Sequence, residues 1–69
     1  MSIGENIKNR RIAAKITQAE LAEAVSVTRP MIAQIERGTK VPNAYLIRDI
    51  ARLFGCTVDE LLCDDVANG

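Results

Sequence analysis

Residues 17–38 read TQAELAEAVSVTRPMIAQIERG. Two short amphipathic segments share this stretch. Each opens on a threonine, Thr17 and Thr28, and the second closes on Gly38. A threonine hydroxyl accepts a hydrogen bond from a free N–H of the first helical turn, and glycine takes the left-handed conformation that ends a helix. The spacing predicts one helix over 18–25 and another over 29–37, separated by a tight break. Two helices so joined meet at a steep angle, a geometry that presents the second to the major groove of DNA.

The same reading extends in both directions. Ser2-Ile3-Gly4-Glu5 and Thr57-Val58-Asp59-Glu60 repeat the pattern of Thr17-Gln18-Ala19-Glu20. In each, the hydroxyl caps the third helical N–H while the glutamate reaches back to the cap N–H. Asn43, after Pro42, marks a further start. Pro30 fits the first turn opened by Thr28, because first-turn N–H groups have no helical partner. Gly38 and Gly55 mark ends. Five helices result, over about 3–14, 18–25, 29–37, 44–54 and 58–63, with no strand.

Each helix carries an apolar face. The first offers Ile3, Ile7 and Ala14 on one stripe, flanked by Ile12 and Ile16. The second offers Leu21, Ala22 and Val25, and the third Ile32 and Ile35, with Val27 just before it. The fourth is the most apolar, with Leu46, Ile47, Ile50, Ala51, Leu53 and Phe54 in the rhythm of a wide buried face. The fifth offers Val58, Leu61 and Leu62. Such stripes on short helices with short loops predict an all-α, compact five-helix fold. Sixty-nine residues allow a single domain over 1–69, with a tail at about 64–69, ending Val66-Ala67-Asn68-Gly69, expected to fray.

Composition narrows the function. No apolar run approaches the roughly 20 residues that span a bilayer. The opening MSIGENIKNRR lacks the apolar stretch of a signal peptide. Two cysteines, Cys56 and Cys63, are too few for a disulfide scaffold. An intracellular, soluble chain with reduced thiols is expected, with Cys56 a small buried hydrophobe and Cys63 exposed. Net charge is zero, yet it is unevenly spread. All nine Lys and Arg lie in 1–58 beside five acids, while Asp59, Glu60, Asp64 and Asp65 crowd the end. A basic body with an acidic end fits a surface that faces DNA and another that avoids it, and equally fits ordinary solvated helix surfaces.

Enzyme chemistry has little to stand on. Histidine, the commonest general acid and base, is absent. Gly38 has no second glycine at the spacing of a phosphate loop, and the terminal acids lack the spacing of a calcium loop. Two cysteines cannot make a zinc site alone. No enzyme activity, cofactor or metal is expected.

The order and spacing of four segments carry a resemblance: NIKNRRIAAKITQAELAEAV, IERG at 35–38, VPNAYLIRDIARLFG and the closing CTVDELL. With them the chain resembles the phage-repressor, Cro and Xre-type helix-turn-helix regulators over about residues 4–63. The resemblance implies a lambda-repressor-like fold and a DNA-binding transcriptional regulator, a repressor, that is cytoplasmic and encoded by a bacterium, archaeon or phage. It implies a homodimer on double-stranded DNA, on a palindromic operator, with two recognition helices in successive major grooves about 34 Å apart. Gln18 matches a phosphate-contacting glutamine at a helix N-terminus, where the dipole favours an anion. The third helix matches the recognition helix, with Arg29, Pro30, Ala33, Gln34 and Arg37 facing outward. Arg29 and Gln34 are the expected base readers, since arginine pairs with guanine and glutamine with adenine. Pro30, Ala33 and Met31 offer apolar contact to bases, Ala33 or Met31 to a thymine methyl. Arg37, Thr39, Lys40, Asn43 and Tyr45 match phosphate contacts. Arg11 and Glu36 resemble a charge pair that ties the first helix to the end of the third. Val58, Leu61 and Leu62 are the apolar residues available for the dimer contact, or else they close the monomer core.

Two positions depart from the family pattern. Relatives usually carry glycine in the turn between the second and third helices, where this chain has Ser26, and a positive φ there costs serine about 1 kcal/mol more than glycine, so the turn is either strained or shaped differently. Pro30 on the reading face gives up an N–H. Two other functions compete with specific reading. One is an antitoxin-like or adaptor module that binds a protein partner through the surface of the fourth and fifth helices. The other is DNA binding without sequence preference. Lys8, Arg10, Lys15, Arg48 and Arg52 read as surface charge, with Arg10 able to steer toward phosphates.

Overall fold

The computed structural model describes residues 3–62. Its elements run α1 (Ile3–Ala13), α2 (Gln18–Ala24), α3 (Arg29–Arg37), α4 (Ala44–Phe54) and α5 (Val58–Leu62), and no strand occurs among the described residues. The expected cap at Ser2, the thiol of Cys63 and the tail at 64–69 lie outside the described residues.

The helix starts are local chemistry. Thr17 Oγ1 accepts from the N–H of Glu20 at 3.0 Å, and Glu20 Oε1 accepts from the N–H of Thr17 at 2.8 Å. Thr57 and Glu60 repeat the pair at 3.0 and 2.8 Å. Thr28 caps the N–H of Met31, and Asn43 Oδ1 caps that of Leu46. The Glu60 carboxyl titrates below the usual glutamate range, chiefly through the backbone N–H of Thr57, with help from the Thr57 hydroxyl and the charge of Arg10. A pKa lowered by folding adds stability above the ordinary glutamate value that is lost as pH falls through the folded one.

The ends of the first four helices share one device. Lys15, Ser26, Gly38 and Gly55 all have positive φ, at 62, 63, 86 and 70°. The next residue turns its N–H back five positions: Ile16 to Arg11, Val27 to Ala22, Thr39 to Gln34 and Cys56 to Ala51. Ile16, Val27 and Cys56 then pack partly buried against the core. This is the hydrogen-bond pattern and apolar contact of the Schellman ending. Of the two alternatives for that turn, the positive φ at Ser26 is the strained one. Lys15 was not anticipated, and a non-glycine residue there costs about 1–2 kcal/mol.

The core holds Ile7, Leu21, Ala22, Val25, Ile32, Ile35, Leu46, Ile50, Ala51 and Leu61. α2 packs chiefly on α3, α1 on α3 and α5, and α4 on α5. The first helix departs from its expected stripe. Ile7 is fully buried, but Ile12 is 53% exposed and Ala14 lies exposed beyond the helix end. Ile12 is five residues past Ile7, which turns it about 140° around the helix. Leu53, expected inside, is 44% exposed. It stands at the margin of the α4 face. Val25 is buried as expected but caps α2 rather than belonging to it.

What α1 lacks in apolar side chains it makes up in close approach. Gly4 is buried, and a Cβ added there would land on the carbonyl oxygen of Ile35, closer than non-bonded atoms come. Asn6, also buried, donates from Nδ2 to the carbonyl of Leu61 at 3.0 Å and joins α1 to α5. Two outcomes follow for chemical denaturation. Gly4→Ala forces α1 off α3 and costs about 3 kcal/mol. Ser26→Gly relieves the left-handed serine, and after the greater unfolded-state freedom of glycine it gains about 0.5 kcal/mol.

Candidate nucleic-acid interface

The residues of α3 divide by direction. Ile32, Ile35 and Glu36 point inward and are buried. A buried carboxylate requires partners, and Glu36 has three donors. Its Oε2 accepts from Arg11 Nε at 2.7 Å, and its Oε1 from Arg11 Nη2 at 3.2 Å and Gln18 Nε2 at 3.0 Å. Arg11 Nη1 donates onward to the carbonyl of Ile16 at 2.9 Å. The Arg11 and Glu36 side chains are 13% and 3% exposed. The end of α1, the start of α2 and the end of α3 are therefore tied at one point by a bidentate charged pair and its neighbours.

The opposite side of α3 is open. Arg29, Pro30, Gln34 and Arg37 are exposed, while Ala33 and Met31 are partly buried, Met31 against the core. Among the described residues, the side chains of Arg29, Gln34 and Arg37 have no hydrogen bond or ion pair. They form a row of free donors on a helix fixed from behind.

The flanking residues differ in what they still offer. Gln18 is partly buried, with one amide hydrogen held by Glu36 and the other available. Thr39 is exposed, but its hydroxyl donates to the carbonyl of Gln34 at 3.1 Å, so its role is to close α3. Asn43 uses Oδ1 as a cap and keeps its amide donors. Lys40 is exposed, and its side chain has no partner among the described residues. Tyr45 is 71% exposed, and the Arg48 guanidinium lies 5.5 Å from its ring centroid. Arg48 thereby joins this end of α4 beside a proposed contact residue. The spacing of three along a helix was a signal that the sequence reading passed over.

The expected dimer residues separate. Leu61 is fully buried in the monomer core, with its carbonyl bonded to Asn6. It is therefore not available to a partner chain. Val58 and Leu62 are 37% and 49% exposed. Cys56 is partly buried, and its thiol is free. Among the described residues, no cluster of three or more His, Cys, Asp or Glu could hold a metal, and no helix is long and apolar enough to cross a membrane.

This arrangement of α2 and α3 agrees with what comparison finds. Residues 7–61 match the helix-turn-helix family model. The chain belongs to the Xre-type helix-turn-helix family. It is 36% identical over 62 residues to the HTH-type transcriptional activator BcrR of Enterococcus faecalis, covering 90% of this chain and 30% of that protein. It is 35% identical over 65 residues to repressor protein C2 of Salmonella phage P22, covering 94% and 30%. The chain thus spans 30% of the length of each of these two relatives. Among solved structures it is similar to the P22 c2 repressor in complex with a synthetic operator, at a TM-score of 0.85 and 35% identity, over 90% of this chain and 94% of that one. The solution structure of the P22 c2 DNA-binding domain gives a TM-score of 0.90 at 33% identity, over 100% and 91%. The lambda-repressor-like fold expected from the family is the fold observed.

Removal of Glu36 tests the clamp. Glu36→Ala leaves the partly buried Arg11 charge without its counter-charge, and denaturant titration is expected to show a loss of about 3 kcal/mol, the low end for a buried pair. Replacing both partners, Arg11→Met with Glu36→Leu, is expected to cost clearly less than Glu36→Ala alone, because no charge is stranded.

Proposed function

We propose that this domain binds operator DNA sequence-specifically and regulates transcription, as a repressor acting through a homodimer. The observation that carries the reading is the row of unpaired, exposed Arg29, Gln34 and Arg37 on a helix held from behind by the buried Glu36 clamp. The likeness to an operator-bound repressor supports it. In this mechanism α3 enters the major groove, Arg29 reads a guanine and Gln34 an adenine. Pro30 and Ala33 supply apolar contact. Arg37, Lys40, Asn43, Tyr45 and the remaining amide hydrogen of Gln18 hold phosphates and set the register. Thr39 takes a lesser part, because its hydroxyl hydrogen is engaged.

Repression is then steric, since an occupied operator excludes a competing protein. A second copy meets the first through the exposed apolar surface at Val58 and Leu62. We place the protein in the cytoplasm, where its DNA target is, and assign it no enzymatic step.

An anisotropy titration tests this reading. The DNA is the region immediately upstream of the protein's own coding sequence, with scrambled DNA of equal length as control. The parent is expected to prefer the upstream duplex by about 10³-fold or more. Arg29→Ala with Gln34→Ala is expected to lose at least about tenfold on the upstream DNA, each contact contributing ~1–3 kcal/mol of discrimination. Its thermal midpoint and its affinity for scrambled DNA should change little. Unaltered preference in the double variant defeats the assignment of the base readers. Equal, salt-sensitive binding of the parent to both duplexes favours a non-specific binder instead.

A further inference from the structure

Beside the row on α3 lies an open groove of about 500 Å³, lined by Arg11, Lys15, Gln18 and Arg29 together with Ile12 and Ile16. No acidic residue lines it. Arg11 is neutralised by Glu36, but the side chains of Lys15 and Arg29 have no hydrogen bond or ion pair among the described residues. Lys15 is exposed, and it occupies the left-handed position that closes α1. At the matching positions after α2, α3 and α4 the chain uses Ser26, Gly38 and Gly55, so Lys15 is the one charged residue among the four. A lysine in that conformation is strained, and nothing within the fold uses its ammonium. The Schellman ending of α1 needs only the left-handed backbone at this position, so the lysine side chain is left over for something outside the fold.

We propose that Lys15 is a DNA-backbone contact, its ammonium held on a phosphodiester that lies along the groove between Gln18 and Arg29. This rests on the reading of the domain as a DNA binder. It extends that reading from α3 to the turn between α1 and α2. A free ammonium is a point charge suited to a phosphate, and its contact is insensitive to base sequence. Arg29 at the far wall connects this backbone contact to the base-reading row, so the groove sets how far the start of α3 enters the DNA.

The strain supplies a clean test, because Lys15→Gly removes the charge while relieving the backbone. Parent, Lys15→Gly, Lys15→Arg and Lys8→Ala are titrated against the upstream duplex and against a mixed-sequence duplex over a range of salt. Lys8→Ala removes the same charge from an exposed α1 position outside the groove. Lys15→Gly is expected to keep or raise the thermal midpoint while weakening binding to both duplexes alike. Its salt slope should fall by about 0.9, so that its deficit against the parent narrows roughly threefold between about 50 and 200 mM salt. Lys15→Arg should retain the parent slope, and so should Lys8→Ala. An unchanged slope in Lys15→Gly overturns the proposal, as does an equal fall in Lys8→Ala, which would mark a general charge effect. A parent that binds neither duplex removes the DNA reading itself, and this proposal with it.

Discussion

The carboxylate of Glu36 is the point on which the rest of the structure depends. It is buried at the end of α3, and a buried charge is tolerated only with its donors in place. Those donors come from α1 through Arg11 and from α2 through Gln18. The same interaction that satisfies the charge therefore fixes three helices against one another. Hydrophobic burial draws these helices together but is non-directional. The forked geometry of Arg11 on Glu36 supplies the direction. Gly4 adds a steric limit on the same side, because α1 lies against the α3 backbone at Ile35.

A chain of this length has few residues to divide between folding and recognition. α3 shows the division at its sharpest. Of its nine residues, Ile32, Ile35 and Glu36 are buried, and of the four exposed residues Arg29, Gln34 and Arg37 carry polar groups. The Thr28 cap and the Gly38 ending lie outside the helix and satisfy its terminal backbone groups locally. No residue on the open face is needed for capping. Arg29, Gln34 and Arg37 can therefore be exchanged for other side chains at little cost to the fold, which lets a common scaffold carry different specificities.

Much of this was legible in the sequence because its signals are local. Thr17 with Glu20, Thr57 with Glu60, Asn43, Gly38 and Gly55 each act within a turn of themselves, and each acts in the structure as its sequence position implies. Helix boundaries followed from them to within one residue at each described end. Packing was less legible where it depends on backbone approach. Gly4 read as a filler inside a capping box, and only the position of Ile35 gives it meaning. Asn6 carried no signal, since its partner is the carbonyl of Leu61, 55 residues away. Periodicity misplaced Ala14, which lies exposed past the end of α1, whereas Ile12, read as flanking the stripe, is 53% exposed. Arg11 and Glu36 were paired through family resemblance, and the third member, Gln18, was assigned to DNA alone.

The phosphate contact proposed for Gln18 would draw on the same bond that holds its amide to Glu36. A free carboxamide must lose rotational freedom on meeting a phosphate, and that loss opposes binding. Glu36 already holds one of its amide hydrogens at 3.0 Å, which restricts the side chain before any ligand arrives. The other hydrogen is then directed by the plane of the amide rather than by the encounter. The ion pair that orders the fold thus also preorganises a residue at the edge of the groove. On the proposed function, stability and recognition are coupled at this point, whereas on the open face of α3 they are separate. Under that proposal changes at Glu36 are felt in both, while changes at Gln34 are felt in recognition alone.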